Sequence, residues 1–243
     1  MIKRSFIREI LESIDENTIS FAGGLPSEKL FPSEDLKNAT LKIFDNPKVF
    51  QYGISNGISE LREKIASRYT KEGFETSKEN ILITTGSQQA MYILAKFYES
   101  KDITIEEPSY LGAMNIFRLN HLTMKGVKLE SNGVNLNEFE QSFKNTKLAY
   151  LIPDFQNPSA TTYSDEKRER IAKIVKENDG ILIEDSPYSE LFFDKKNISI
   201  SSKIPKNSFH LGSFSKTLVP SLRIGWIRAD EERIKSLMII KES

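Results

Sequence analysis

The sequence contains no cysteine among its 243 residues. That absence excludes disulfide bonds, zinc–thiolate sites and thiol nucleophiles, and it fits a reducing compartment. Excess charge of either sign is absent too, because 34 lysine and arginine residues balance 34 aspartate and glutamate residues. A balanced charge gives no general reason to expect nucleic acid or an anionic membrane as a partner, and we expect neither.

Long apolar runs are also missing. No stretch approaches the roughly 18 apolar residues that a membrane-spanning helix needs. The first six residues, Met-Ile-Lys-Arg-Ser-Phe, lead into a mixed polar segment without the apolar core of a secretory signal. We therefore expect a cytoplasmic protein, and we expect no metal ion in it.

Short apolar runs alternate with helical patterns through most of the chain, and this rhythm predicts an α/β fold. Helices are expected at residues 3–13 and from about residue 57, with a loop at 20–26 between them. The later elements are predicted as strands at 81–84, 103–105, 148–152, 181–184, 209–211 and 224–228, and helices at 87–98, 110–119 and 164–176. Such alternation is typical of a mainly parallel sheet sandwiched by helices, whose ligands bind beyond the carboxyl ends of the strands.

Two segments beside predicted strands have the chemistry of a phosphate site. Gly86, Ser87 and Gln88 lead from a strand directly into a helix, whose first amides have no partner inside the helix. The plain alternative for Ser87 is an ordinary helix cap. Near the end of the chain, Ser213 and Ser215 precede Lys216 in the sequence and Arg223 follows it. The two hydroxyls and the guanidinium together are suited to one phosphate.

Other strand ends carry groups suited to a flat nitrogen heterocycle. Tyr110 can stack on such a ring, and the Asn157 amide can donate to a ring oxygen. Asp185 ends an apolar strand, where a carboxylate needs a partner such as a protonated ring nitrogen, and Tyr188 follows it. Each residue has a plain alternative: a half-buried core tyrosine, an Asn-Pro turn, and an aspartate that caps the turn before Pro187.

Lys216 makes the set specific, because a surface lysine rarely follows an apolar strand in a Gly-Ser-Phe-Ser setting. The phosphate donors, the stacking ring, the carboxylate and the amine together describe one ligand, pyridoxal 5'-phosphate (PLP). A lysine amine bonded to the aldehyde and an aspartate beside the pyridine nitrogen are the usual contributions of proteins to PLP chemistry.

At this point the sequence resembles the fold-type I PLP enzymes, and among them the class I/II aminotransferases. The nearest branch contains the 2-aminoadipate, kynurenine and aromatic aminotransferases, together with the aminotransferase-like domains of MocR-type regulators. The resemblance covers nearly the whole chain. It rests on six segments, namely Phe-Ala-Gly-Gly-Leu-Pro at 21–26, residues 52–62, Thr-Gly-Ser-Gln-Gln at 85–89, Phe-Gln-Asn-Pro at 155–158, residues 184–188 and Gly-Ser-Phe-Ser-Lys at 212–216.

The resemblance implies a role for each matching residue. Lys216 is similar to the lysine that bonds to PLP, Asp185 to the partner of the pyridine nitrogen, and Tyr110 to the stacking aromatic residue. Gly24 is similar to a residue whose backbone contacts the substrate near its carboxylate. Asn157 would lie beside the substrate as well as the cofactor. The remaining matches are Asn157 and Tyr188 for the ring oxygen; Gly86, Ser87, Gln88, Ser213, Ser215 and Arg223 for the phosphate; and Tyr52, which would reach the phosphate of a neighbouring subunit and so implies a homodimer.

Two departures from the family pattern stand out. Ala160 occupies a position that is usually glycine, which we expect to alter the turn slightly. The family also continues into a small C-terminal domain with an arginine for the substrate carboxylate, and this chain ends at Ser243. We therefore expect an N-terminal segment and arm at 1–50 and a PLP-binding large domain at 51–243, without the small domain. On this expectation the chain is a fragment or a truncated product.

The function that the resemblance implies is amino-group transfer between an amino acid and a 2-oxo acid, as in amino acid metabolism and biosynthesis. In that reaction Lys216 would also take the α-proton as general base. Two alternatives stay open. One is the PLP-sensing domain of a MocR-type regulator, which we do not favour because no basic helix-turn-helix precedes Ser20. The other is a PLP-dependent lyase or decarboxylase on the same scaffold, which the cofactor motifs do not distinguish from a transaminase.

Overall fold

The structure is a computed structural model that describes Asp15, residues 17–19 and residues 24–243. The helix predicted at 3–13 and most of the predicted loop at 20–26 lie outside the described residues. Within them, the helices are α1 (Ser33–Phe44), α2 (Ser59–Lys71), α3 (Gly86–Phe97), α4 (Leu111–Leu119), α5 (Leu136–Thr146), α6 (Asp165–Glu177), α7 (Ile200–Lys203) and α8 (Glu231–Glu242). The strands are β1 (Ile81–Thr85), β2 (Asp102–Glu107), β3 (Thr123–Glu130), β4 (Gly133–Val134), β5 (Leu148–Leu151), β6 (Ile181–Asp185), β7 (Ser208–Ser213) and β8 (Ile224–Arg228).

The eight strands form one sheet in the order β1-β8-β7-β6-β5-β2-β3-β4. Neighbours from β7 through β6, β5 and β2 to β3 are parallel. Strand β8 is antiparallel to both β7 and β1, so β1 runs in the same direction as the parallel block. The predicted α/β fold with a mainly parallel sheet is confirmed.

Apolar residues on both faces of the sheet explain why helices cover it on each side. Along a strand, successive side chains point to opposite faces. Leu182 and Ile183 accordingly belong to different apolar clusters. Helices α3, α4 and α8 pack on the Ile183 face, while α5, α6 and α7 pack on the Leu182 face. Because both faces are covered, the strand ends are the expected place for a ligand in a sheet of this kind.

Side-chain caps fix where several of the helices begin. Asn135 accepts from the backbone amides of Asn137 and Glu138 at the start of α5. Ser164 and Asp230 cap α6 and α8 in the same way. Each cap satisfies an amide that has no partner inside its helix.

The turn after β5 is held in a conformation that favours glycine. Ala160 has φ of +59°, in the left-handed region. An alanine pays a steric cost there, because its Cβ approaches the following carbonyl oxygen. The departure from glycine that stands out in the sequence therefore coincides with local backbone strain.

Replacing Ala160 with glycine should stabilise the chain by about 1 kcal/mol, because glycine adopts positive φ without that clash. Urea unfolding monitored by circular dichroism measures the change. Ala39, an exposed residue inside α1, provides the control. Ala39→Gly should instead destabilise the chain by about 1 kcal/mol, the usual cost of glycine in a helix. A loss of stability in Ala160→Gly would contradict the conformation described for this turn.

Candidate active site

The sheet topology brings the predicted site residues to one edge. The carboxyl ends of β1, β2, β5, β6 and β7 lie together, and β8, which runs the opposite way, begins at the same edge. Thr85 pairs with Ile224, and Ser213 pairs with Gly225. This register places the Gly86 turn, the Ser213 strand end and Arg223 next to one another.

Asp185 ends β6 near the middle of the sheet and is buried, with 2% of its surface exposed. The Tyr150 hydroxyl donates to Asp185 Oδ2 at 2.7 Å. The other oxygen, Oδ1, is buried and has no hydrogen-bond partner among the described residues. A buried carboxylate oxygen without a donor is costly, so this atom is suited to receive a ligand's N–H group.

Burial also raises the pKa of Asp185 to about 6, although the hydrogen bond from Tyr150 opposes the shift. A positive charge beside Oδ1 would reverse the shift, since an opposite charge favours the ionised carboxylate. A cationic group beside Oδ1 would therefore stabilise the ionised form of Asp185.

The raised pKa predicts a pH dependence of stability. With a folded-state pKa of about 6 against 3.8, Asp185 contributes stability that is fully present below pH 3.8 and is lost as the pH rises through about 6. In the chain without PLP, the difference in unfolding free energy between wild type and Asp185→Asn should therefore shrink over this range. The slope should reach up to about 1.4 kcal/mol per pH unit.

Urea titrations from pH 4 to pH 8 measure that difference. The exposed Asp194 provides the control, because Asp194→Asn removes a carboxylate from the surface and leaves Asp185 in place. A constant difference between wild type and Asp185→Asn across the range would show that Asp185 does not titrate as described.

Lys216, Tyr188 and Asn157 form a second group beside Asp185. The Lys216 Nζ atom lies 5.9 Å from the centre of the Tyr188 ring, and the Asn157 side chain interacts with the Tyr188 hydroxyl. Burial raises the pKa of Tyr188, and the nearby Asp185 charge adds to the rise. An amine, a phenol and an amide donor thus face the same space.

Lys216 is half-buried, and burial lowers the pKa of its amine. Its Nζ atom donates to the carbonyl oxygen of Gly24 at 2.6 Å. The backbone at Gly24, which the sequence assigned to a substrate contact, therefore lies directly against the lysine amine. A lysine with a lowered pKa has a larger fraction of neutral amine, the form that is nucleophilic and basic.

The turn into α3 forms a cradle with Arg223. Gly86 has φ of +73°, and a Cβ atom placed on it would lie 2.6 Å from Arg223 Nη2. A Cβ atom on Gly225 would lie 2.7 Å from the Ser87 amide nitrogen. Glycine at both positions lets the guanidinium and strand β8 approach the first amides of α3. Helix amides and a guanidinium are a common arrangement for binding phosphate.

The two predicted serines lie next to this cradle. Ser213 is buried at the end of β7, and its hydroxyl donates to Ser215 Oγ at 2.9 Å. The Ser213 Oγ atom also accepts from the Ser215 amide at 3.0 Å. At the start of α3, Ser87 is partly buried while Gln88 is exposed. All of the predicted phosphate residues within the chain are thus brought to this corner of the sheet.

Tyr110 and Tyr52 occupy different surroundings. Tyr110 precedes α4, and its ring lies over Gly112, where a Cβ atom would come within 2.4 Å of it. Tyr52, by contrast, is 100% exposed. The structure of one chain therefore does not bring Tyr52 to the site.

These residues fit PLP. The unpartnered Asp185 Oδ1 suits a protonated pyridine nitrogen, and the glycine cradle has room that a Cβ would fill. Lys216 supplies an amine for an aldehyde, and Asn157 and Tyr188 supply polar groups for the ring oxygen. Within residues 24–243, no group of three or more potential ligands that would suit a metal ion occurs, and no helix is long and apolar enough to cross a membrane.

A separate cavity of about 250 Å³ lies near this site without including its central residues. Tyr69, His210 and Trp226 line it, and its wall reaches Ser213 but neither Lys216 nor Asp185. The Trp226 indole donates to the Tyr69 oxygen at 2.7 Å, and the same oxygen forms a hydrogen bond with His210 Nδ1 at 2.8 Å. These hydrogen bonds join α2 to β7 and β8 near Ser213.

Tyr150 is a site residue that sequence reasoning missed. It pairs with Ile183 across β5 and β6, on the same side of the sheet as Asp185 two residues on. A tyrosine is long enough to span that offset and reach the carboxylate. Only the strand register reveals this contact, and the sequence has no separate signal for it.

Comparison with known proteins shows which family and which structures this chain resembles. Residues 17–243 match the profile of the family described as aminotransferase class I and II. The aromatic-amino-acid aminotransferase 1 of Thermococcus litoralis is 33% identical over 258 residues, which covers 100% of this chain and 62% of that protein. The chain thus spans less than two thirds of the length of this curated relative.

Among solved structures, the alpha-aminoadipate aminotransferase of Thermus thermophilus superimposes with a TM-score of 0.89 at 33% identity, covering 99% of this chain and 62% of that one. That protein is complexed with N-(5'-phosphopyridoxyl)-L-leucine. A helix-turn-helix transcriptional regulator of Bacillus subtilis is also related, at 30% identity over 96% of this chain and 50% of the regulator.

Proposed function

The chain belongs to the class I and II aminotransferase family, and from this premise we propose that it is part of a PLP-dependent transaminase acting on an amino acid and a 2-oxo acid. The observation that carries the proposal is the unpartnered Oδ1 of Asp185 on the strand next to the one that leads to Lys216. That pairing of a buried carboxylate with a nearby amine is what PLP chemistry requires.

When bound, PLP supplies an electron sink for the charge that develops on the α-carbon of an amino acid. In this proposal the chain's own groups do three things. Lys216 Nζ would hold the cofactor through its aldehyde and, as a free amine, would take the α-proton of the substrate. Asp185 holds a proton on the pyridine nitrogen. Asn157 and Tyr188 hold the ring oxygen and so fix the tilt of the ring.

The phosphate would be held at the α3 cradle. Arg223 supplies charge, the amides of Gly86 and Ser87 supply aligned donors, and the hydroxyls of Ser87, Ser213 and Ser215 complete the set. Gln88, exposed beside the cradle, is included from the family resemblance. Tyr110 would cover one face of the ring, with Gly112 leaving room for it.

The assembly that we propose is a cytoplasmic homodimer in which Tyr52 serves the phosphate site of the second subunit. Tyr52 is fully exposed, and Phe44, Phe50 and Ile54, which lie near it in the sequence, are each more than 60% exposed. An apolar surface of this kind on one chain is suited to a protein partner. Residues 1–50 would form the arm of such a dimer and 51–243 its large domain. Sedimentation should show a dimer at micromolar concentration, and a PLP-loaded monomer would contradict this assembly.

Transfer of the amino group tests the proposed function directly. The PLP-loaded protein, mixed with a panel of amino acids and 2-oxoglutarate, should release the matching 2-oxo acid and form glutamate. Lys216→Ala should form neither. Carbon dioxide or an eliminated side chain, without a new amino acid, would instead identify a decarboxylase or lyase on the same fold.

The related regulator supports one other candidate, a PLP-binding sensor domain. Such a domain would hold PLP on Lys216 through the same residues but would turn over no substrate. In a version of the protein that includes the small C-terminal domain of the family, PLP bound at Lys216 with no 2-oxo acid formed from any member of the panel would favour it over the transaminase.

A further inference from the structure

Glu106 is a buried carboxylate that the proposed chemistry does not use. It lies near the end of β2 and is 0% exposed. Its Oε1 atom accepts from the Ile152 amide at 3.0 Å and from the Tyr163 hydroxyl at 2.6 Å, and its Oε2 atom accepts from Gln156 Nε2 at 3.0 Å. Glu106 therefore ties its strand to both ends of the segment between β5 and α6.

Gln156 connects Glu106 to the candidate site through further hydrogen bonds. Its Nε2 atom donates to the carbonyl oxygen of Pro108 at 2.8 Å as well as to Glu106. Its Oε1 atom accepts from the amide and the hydroxyl of Ser159, at 2.9 and 2.7 Å. Every hydrogen-bonding group of this buried amide is thus in use. It joins the turn before Tyr110 to the turn that contains Asn157.

The polarity of these bonds requires an acceptor at Glu106. An N–H group from Ile152, an N–H group from Gln156 and an O–H group from Tyr163 all point at the carboxylate. These donors oppose the effect of burial, which raises the pKa of Glu106 to about 7 with help from the charge of Asp185. A neutral amide in its place would turn an N–H group toward the N–H group of Gln156.

We propose that Glu106 is a positioning residue for the cofactor site, which acts through Gln156 to fix Asn157 and Tyr110 relative to Asp185. The proposal rests on the function proposed above, because it assigns Asn157 and Tyr110 to PLP. Asn157 directly follows Gln156 in the chain, and Tyr110 lies two residues after Pro108. Motion of the Gln156 amide therefore moves both groups that contact the ring.

Glu184 offers a matched control. It is also a 0% exposed carboxylate near the end of a strand in the same sheet. Its oxygens accept from the amides of Ile200 and Ser201, at 3.1 and 2.6 Å. It thus holds the start of α7 and has no described hydrogen bond to the Tyr110 or Asn157 turns. Glu184→Gln should cost stability much as Glu106→Gln does, without changing the arrangement of those turns.

Two measurements on Glu106→Gln, Glu184→Gln and Gln156→Ala test the proposal. Deuterium exchange without PLP should show faster exchange at residues 108–112 and 152–163 in Glu106→Gln and Gln156→Ala, and at 199–203 in Glu184→Gln. The Kd for PLP, followed by absorbance, should rise about 10-fold in the first two variants, equivalent to about 1.4 kcal/mol. Glu184→Gln should stay within about 2-fold of wild type.

The absorbance of bound PLP as a function of pH gives a further readout. A displaced Asn157 should shift the titration of this absorbance in Glu106→Gln and Gln156→Ala, while Glu184→Gln should titrate as wild type. Equal changes in Kd and in the titration for Glu106→Gln and Glu184→Gln would overturn the proposal. If Glu106→Gln does not fold, Gln156→Ala decides by the same criteria.

A wild-type protein that fails to bind PLP would refute the proposed function. The exchange data without PLP would still decide whether Glu106 holds the two turns. Unchanged exchange at 108–112 and 152–163 in a folded Glu106→Gln would overturn the inference whatever the cofactor result.

Discussion

Gly86→Ala should raise the Kd for PLP at least about 10-fold, because the new Cβ would displace the Arg223 guanidinium from the phosphate cradle. A charge-assisted hydrogen bond of this kind contributes about 1.5–3 kcal/mol, which corresponds to that change or more. Pyridoxal, which lacks the phosphate, should lose much less affinity than PLP. Absorbance titration with both compounds measures the two effects.

Gly73 supplies the control for backbone strain. It has φ of +81°, close to the +73° of Gly86, but a Cβ atom on Gly73 would meet nothing within 4 Å. Both alanine variants should therefore lose about 1 kcal/mol of stability. Only Gly86→Ala should weaken PLP binding. Equal PLP affinity in the two variants would mean that Arg223 and the α3 turn do not hold the phosphate.

Asp185→Ala should slow the half-reaction with an amino acid at least about 100-fold, the lower range for removing one group that stabilises charge as it develops. PLP binding should fall far less, because the phosphate cradle and Lys216 remain. Without the carboxylate, the pKa of the pyridine nitrogen falls and its protonated form is lost at neutral pH. The ring then withdraws electrons less strongly, so the α-proton leaves more slowly.

Stopped-flow absorbance at full PLP occupancy measures the half-reaction, in a version of the protein that includes the small C-terminal domain of the family. The nitrogen NMR shift of ¹⁵N-labelled PLP gives a second readout that needs no turnover. It should report a protonated nitrogen in the wild type and a neutral one in Asp185→Ala. A protonated nitrogen and a normal rate in the variant would show that Asp185 is not its partner.

The order of strands and helices that carry the site could be predicted from sequence because their apolar runs are short, clear and separated by turns. Strands β3 and β4 and helices α1, α5 and α7 were not predicted. β3 reads Thr-Met-Lys-Gly-Val-Lys-Leu-Glu, and most of it is exposed or half-buried near the edge of the sheet. An edge strand of this kind lacks the continuous apolar pattern of its buried neighbours.

Most of the residues proposed for the site lie shortly before or after a strand, so their position at one edge of the sheet could be predicted from the sequence. The supporting contacts could not. Tyr150 reaches Asp185 through strand register, and Glu106 reaches Gln156 across 50 residues of chain. Both are long-range pairs that depend on how strands align. Neither residue type nor spacing in one sequence determines that alignment.

Covalent attachment of PLP to Lys216 is the central claim, and borohydride reduction followed by peptide mapping tests it most directly. The folded chain, incubated with PLP and reduced, should carry one phosphopyridoxyl label, on the peptide that contains Lys216. Lys216→Ala should remain unlabelled under the same conditions. A label on another lysine, or no label on folded wild-type protein, would contradict the account.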